Sequence, residues 1–325
     1  MKKRVICSLL VAFVAASFIL PALATELAGN EELPEAAQAN SDAAAPAAGS
    51  AEVRADAIAE TETGMESFVL LDGVPQPVEY EIRNGTTYVT VRSFVAMADP
   101  KAVVIVDNGV VTVSSSKVGQ TVDAEGNTVD VVQETLSMTV SPQLPYIIAN
   151  GRYLYAKGSI TTVNGQVAAP IRKLAQVFNL DVDYDAEAQA ALLTHVEGRS
   201  AYIQPGDSFY NADALYWLSR IIYTESGNQI LEGKIAVGNV VMNRVNSPLF
   251  PNNIYDVLNQ QNQFMPCSIL SLYTPNSESV VAAKLVMEGV VVLPNALFFA
   301  QAGLVCYASV YRPYVTTIGG HAFYA

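Results

Sequence analysis

Histidine occurs twice and cysteine three times in 325 residues, and 18 basic side chains face 31 acidic ones. Each scarcity excludes something. Structural zinc sites draw on four Cys or His ligands, so no metal centre and no cofactor are expected. A formal charge of −13 argues against the broad basic face with which a protein grips nucleic acid. Charged residues amount to 15% while hydrophobic ones reach 51%, so the chain has enough apolar material to bury sizeable cores. A prior of about 150 residues per domain suggests two or so.

Long apolar runs are rare as well. The one that opens the chain, from Val5 to Leu20, follows Lys2, Lys3 and Arg4 and precedes Pro21 and Ala22-Leu23-Ala24. That is the charged, apolar and small-residue order of a secretory signal peptide over residues 1–24. The run is short for a bilayer, which needs roughly 20 apolar residues. The expectation is an exported protein, secreted or held at the cell wall, with no stable membrane span after cleavage. Cys7 leaves with the signal. Cys267 and Cys306 then either pair in the oxidising exterior or stay as two buried thiols. The apolar stretch 280–300 is interrupted by Lys284, Glu288 and Pro294, which suits a helix followed by a buried strand or loop.

Residues 25–67 contain no aromatic side chain and set ten acidic residues against Arg54 alone. Such a segment reads as a self-repelling, disordered linker. Residues 68–208 change to β texture. Thr86-Thr87-Tyr88-Val89-Thr90-Val91 and Val103-Val104-Ile105-Val106 are β-branched runs, and Asn84-Gly85 and Asn108-Gly109 supply hairpin turns. The segment repeats itself. Asn84-Gly85 leads to Tyr88-Val89, Val91-Arg92 and an apolar helical stretch from Phe94 to Ala98. Asn164-Gly165 leads to Ala168-Ala169-Pro170-Ile171-Arg172 and a stretch from Leu174 to Phe178, and the two copies close near Asp107 and Asp183. This pattern resembles the N-terminal domain of copper amine oxidases, over about residues 68–116 and 144–195. The resemblance implies a stalk-like spacer or interaction module that could hold a cell-wall or protein partner. It does not bring copper chemistry, since His195 and His321 are too few for an imidazole-ligated site. Arg92 and Arg172 recur at equivalent places and are expected to stabilise the fold.

Residues 209–325 turn helical. Leu215, Leu218 and Ile222 form an amphipathic stripe from Asn211 onward, and its next position holds Glu225. Gly227 is expected to end this helix in left-handed geometry, and Asn228 to cap a second helix with the stripe Leu231, Ile235, Gly238, Met242, Val245. Val237, Val240 and Val241 make that second helix apolar all round and therefore buried. A carboxyl held against such a support has a raised pKa and can donate a proton to a glycosidic oxygen. A structural alternative is a Glu turned to solvent or paired with Arg220 or Arg244. Asn243 suits a loop brace, and Glu232 suits the first turn of the second helix. Of the other carboxylates, Asp213, Asp256, Glu278 and Glu288, none lies in a comparably apolar context.

The run Tyr223-Thr224-Glu225-Ser226-Gly227-Asn228-Gln229 followed by Leu231 to Val245 resembles the core motif of the spore cortex-lytic cell-wall hydrolase family. So do Ser247-Pro248, Pro251, Gln263-Phe264, Asn295-Ala296-Leu297-Phe298-Phe299 and Ile318-Gly319-Gly320-His321-Ala322-Phe323-Tyr324. The resemblance implies an α+β protein, a β-rich two-repeat stalk module followed by a mainly helical, lysozyme-like catalytic domain. It implies cleavage of peptidoglycan glycan strands with Glu225 as the catalytic acid and a 1,6-anhydro product in many members. Ser226, Gln263, Phe264, Phe299, His321 and Tyr324 are candidate substrate contacts. The sequence departs from the family at Asn228, where a second Glu is common, and at Gly319-Gly320-His321, where Gly-Asn-His is usual. A catalytically silent wall-binding or assembly protein is the alternative reading.

Overall fold

The computed structural model describes residues 68–156, 160–187 and 190–325. The signal-peptide and linker assignments, residues 1–24 and 25–67, lie outside them. The chain begins with β1 (Val69–Leu71), β2 (Val74–Gln76), β3 (Tyr80–Arg83) and β4 (Thr86–Thr90), which passes directly into α1 (Val91–Ala98). There follow β5 (Val103–Asp107), β6 (Val110–Val122), β7 (Thr128–Val140), β8 (Tyr146–Ala149) and β9 (Arg152–Tyr155). Then come β10 (Thr161–Val163) and β11 (Gln166–Pro170), which passes directly into α2 (Ile171–Val177), with β12 (Asp181–Asp185) and β13 (Ala190–Thr194) after it. Both strand-to-helix junctions leave the backbone no connecting loop. At the first, the Thr90 hydroxyl caps α1 by accepting from Ser93 N.

Two-residue turns build most of this lobe. Asp72-Gly73, Asn84-Gly85, Asn108-Gly109, Asn150-Gly151 and Asn164-Gly165 all take positive φ at both positions. Each joins a pair of antiparallel strands. That backbone matches the twist of a tight hairpin, and Asn, Asp and Gly tolerate it best. Three sheets result, in the orders β12-β13-β1-β2, β10-β11-β4-β3 and β5-β6-β7-β8-β9. β4 and β11 lie side by side, with Tyr88 opposite Pro170 and Thr90 opposite Ala168. Their helices pack into one core around Phe94, Leu174, Val89, Ala169 and Phe178. Asp183 is not a strand end, because β12 runs on to Asp185. Arg172 does tie α2 to β12 by donating to the Val182 carbonyl at 3.1 Å. Arg92 is exposed.

The remainder is mainly helical: α3 (Gly206–Phe209), α4 (Ala212–Ser226), α5 (Leu231–Val245), α6 (Ile254–Leu258), α7 (Cys267–Leu270) and α8 (Ser277–Met287). It closes with β14 (Phe298–Gln301), α9 (Tyr307–Tyr311), β15 (Tyr314–Ile318) and β16 (His321–Tyr324), the strands forming a sheet in the order β14-β16-β15. The second core is built on α4, α5 and α8, through Leu218, Ile222, Ile235, Val241 and Leu285, with Phe323 of β16 sealing it. Gly238 lets the three helices meet. A Cβ there would come within 2.8 Å of Val286 and 3.0 Å of Ile222. Cys267 is buried, Cys306 half-buried, and both are free thiols. Among the described residues no helix is long and apolar enough to cross a membrane.

The two cores meet across a polar latch. Arg152 of β9 grips Glu288, just past α8, with two charge-assisted bonds of 2.8 and 2.6 Å, and the Tyr210 hydroxyl donates to the same carboxylate at 2.7 Å. Both charged side chains are nearly sealed from solvent, at 10% and 5% exposure. Lys284 adds a bond to the Gly151 carbonyl, and Tyr146, Tyr153 and Tyr155 pack against the helical core.

Candidate active site

Glu225 occupies the last turn of α4, on a helix that Asn211 starts by accepting from Ala214 N at 2.9 Å. The stripe expected from the sequence is real: Leu218 and Ile222 are fully buried and Leu215 half-buried below it. Glu225 keeps one solvent-facing edge, yet burial pushes its carboxyl up to about 7. Neither proposed arginine pairs with it. Arg220 lies flat on the Tyr216 ring at 3.4 Å and donates to the Tyr216 carbonyl. Arg244 donates to the Leu297 carbonyl at 2.7 Å and sits among Phe250, Phe264 and Phe298. With no cation and no hydrogen-bond donor among the described residues to favour the anion, desolvation raises its pKa.

Enclosure by itself does not single out Glu225. The Glu288 side chain is 5% exposed, but its carboxylate is bonded to Arg152 and Tyr210. Asp213, Glu232, Asp256 and Glu278 are exposed. What distinguishes Glu225 is enclosure without a partner.

The loop after Glu225 is held from three sides. Lys234, 1% exposed, donates to the Gln229 carbonyl at 2.8 Å and pairs with Glu278. The Gln229 side chain accepts from Gly320 N at 2.7 Å, and Asn276 donates to the Gly227 carbonyl. Lys234 and Gln229 escaped the sequence reading. The available signal was a Lys directly before the run Ile235-Ala236-Val237 of a helix expected to be buried. Gly227 is right-handed, φ −56°, rather than left-handed, and Ile230 rather than Asn228 sits at the start of α5. Glycine is needed at 227 because a Cβ would approach the Tyr223 carbonyl to 2.5 Å and its ring to 3.1 Å. Gly227→Ala is therefore expected to cost about 1–3 kcal/mol by overpacking, read as a lowered urea midpoint at unchanged m-value.

The Gln229–Gly320 bond sets the turn between β15 and β16 beside this loop. From that turn, His321 leads into an aromatic group: Phe299 meets His321 edge-on at 5.4 Å, and Phe264 lies 6.2 Å from Phe299. Gln263 is exposed next to Phe264. Burial lowers the His321 pKa below the usual imidazole value, and its Nδ1 has no hydrogen-bond partner among the described residues. Two candidates fall elsewhere. Ser226 is fully buried and its hydroxyl donates to the Ile222 carbonyl at 2.7 Å. Tyr324 packs with Ala308 and Ala322, on the face of β16 opposite His321 and Phe323, because strand side chains alternate. Asn243 braces the Leu293 and Ala296 carbonyls, and Asn239 does the same for the segment at 290–293.

Fold and site thus define a two-lobed α+β protein whose helical lobe carries an enclosed acid in the last turn of α4, next to a clamped loop. Residues 228–324 match the Cell Wall Hydrolase family model, so the C-terminal part of the chain is similar to that family. The match begins just after Glu225. The chain is similar to the spore cortex-lytic enzyme of Bacillus subtilis, 30% identical over 121 residues, covering 37% of this chain and 39% of that protein. It is also similar to the spore cortex-lytic enzyme of Bacillus cereus, 28% identical over 116 residues, 35% of this chain and 45% of that one. The chain thus spans less than half the length of the curated relatives it matches. Among solved structures, the catalytic domain of the germination-specific lytic transglycosylase SleB from Bacillus anthracis matches at 27% identity. It covers 36% of this chain and 97% of that one, with a TM-score of 0.33.

Proposed function

We propose that this chain is an exported peptidoglycan-cleaving enzyme that cuts glycan strands between muramic acid and glucosamine as a lytic transglycosylase. The observation that carries the reading is Glu225, an enclosed carboxyl with no partner whose pKa is pushed up to about 7. At neutral pH a large fraction of it holds a proton. It protonates the glycosidic oxygen as the bond to C1 breaks. The resulting carboxylate then takes the proton of the muramic C6 hydroxyl, whose oxygen closes on C1. One group serves both steps, and no water enters the product.

The carboxylate inventory supports this route over hydrolysis. Hydrolysing glycosidases place a second carboxyl within about 5–10 Å, as nucleophile or as base for a water. Here the other carboxylates of the helical lobe are exposed or, in Glu288, tied down. Phe264, Phe299 and His321, with exposed Gln263, are proposed to hold the sugars. Ser226 and Tyr324 are not. The β lobe acts as a spacer or interaction module, and residues 1–24 direct export to the cell wall. An unpaired buried acid is costly to keep in a protein that only binds, which disfavours the catalytically silent alternative.

Mass spectrometry of digested peptidoglycan tests the reaction. Muropeptides ending in 1,6-anhydro-muramic acid are the expected product. Reducing ends in their place would mean that water attacks C1 and that a second carboxylate has been overlooked.

A further inference from the structure

Between the β lobe and the helical lobe lies a cleft of about 510 Å³, a size that suits a small ligand. Its lining includes the apolar Pro170 from the β lobe and Val292 from the helical lobe, together with the latched Glu288. The other charged groups that line it are Arg172 and Lys173 of α2 and Glu232 of α5, with Tyr155 also in the lining.

None of these charges is neutralised by a contact. Lys173 is half-buried and makes no hydrogen bond or ion pair among the described residues. Burial pushes its ammonium below the usual lysine range, while the Glu288 charge pulls it partly back. Glu288 itself is not free to receive it, since Arg152 and Tyr210 already occupy that carboxylate. Arg172 gives one N–H to the Val182 carbonyl and keeps its others exposed. Glu232 is exposed, and its charge helps raise the Tyr155 hydroxyl after burial has done so. A partly desolvated cation without a counter-ion is costly unless a ligand supplies the anion. The exposed Glu232 carboxylate in the same lining would receive an amine.

The geometry points to a peptide site: we propose that this cleft binds the stem peptide of peptidoglycan, its carboxylates on Lys173 and Arg172 and its free amine at Glu232. This rests on the reading that the chain acts on peptidoglycan. Stem peptides are short, built from alanine, glutamate and a diamino acid, so they bring small aliphatic groups for the apolar lining and both charges for its ionic side chains. Glu232 lies seven residues after Glu225, across the loop that Lys234 and Gln229 clamp. The peptide site and the acid therefore flank one clamped loop, with Glu225 at the end of α4 and Glu232 at the start of α5. A peptide bound there would set the register of the glycan strand to which it is attached.

Calorimetry with the full-length protein and the synthetic peptide L-Ala-γ-D-Glu-meso-diaminopimelate-D-Ala tests this. Saturable binding is expected, weakened about tenfold or more by Lys173→Gln and by Glu232→Gln, and lost when the peptide carboxyls are amidated. Lys173→Gln is checked for folding by its urea midpoint. Glu232 is exposed, so its variant gives a second reading if the first fails to fold. No binding at millimolar peptide, or binding that neither variant changes, overturns the proposal. Peptide binding by a protein that cuts no glycan would support the cleft and overturn the catalytic reading. Glycan cleavage without peptide binding would do the reverse.

Discussion

Glu225→Gln is expected to abolish glycan cleavage, by at least about a thousandfold, because an amide can neither donate the proton nor take it back. General acid–base catalysis contributes roughly 10²–10⁴-fold to a rate, and here one residue serves both proton transfers. The same substitution should leave the fold intact and change its pH response. In the wild type the folded pKa of Glu225 is about 7 against an ordinary 4.5. Between those values the folded state holds a proton that the unfolded chain has lost. Stability therefore falls as pH rises from about 4.5 to about 7 and levels off above. The whole loss is about 3 kcal/mol for this shift. Glu225→Gln removes that loss, so its urea midpoint should exceed the wild type's by more at pH 8 than at pH 5. Wild-type activity should decline above about pH 7 as the donor form disappears. A variant that still clears peptidoglycan, or midpoints that track each other across the pH range, would remove Glu225 from the centre of the mechanism.

Arg152→Ala should lower stability by about 3–5 kcal/mol, the usual result of stranding one partner of a buried ion pair. The stranded group is Glu288, whose side chain is 5% exposed. Pairing Arg152→Met with Glu288→Leu should recover most of the loss, because no buried charge then remains without its partner. Urea unfolding of the full chain measures both. A loss under about 1 kcal/mol for the single variant would mean that water reaches Glu288 readily and that apolar packing alone holds the lobes. The latch also bears on function, since it fixes the walls of the cleft that contains Lys173 and Glu232.

Much of the local structure was legible because it depends on near neighbours in the chain. Asn-Gly pairs between β-branched runs gave hairpins, since positive φ at both positions is a property of those two residues. The stripe Leu215, Leu218, Ile222 located Glu225 on the inner side of α4, because helical periodicity carries an apolar face to the next turn. The errors share one source. Gly227 was expected to be left-handed, but its constraint is the approach of Tyr223. The place of Ser226 beside the acid suggests a sugar contact, but its hydroxyl turns back to the Ile222 carbonyl. Tyr324 was grouped with His321 before strand alternation had put them on opposite faces.

By itself the sequence determined where the hairpins turn, which helix carries the acid and that this helix packs on an apolar neighbour. These follow from backbone preferences and from the 3.6- and 2-residue periods, which act within a few residues. Only the tertiary structure decided that Glu225 has no partner and that Glu288 has three bonds. It alone tied Gln229 to Gly320 across 91 residues and brought Lys173 and Glu232 to one cleft. An ionisable group's state depends on what lies within a few ångströms in space, and those neighbours arrive from distant parts of the chain.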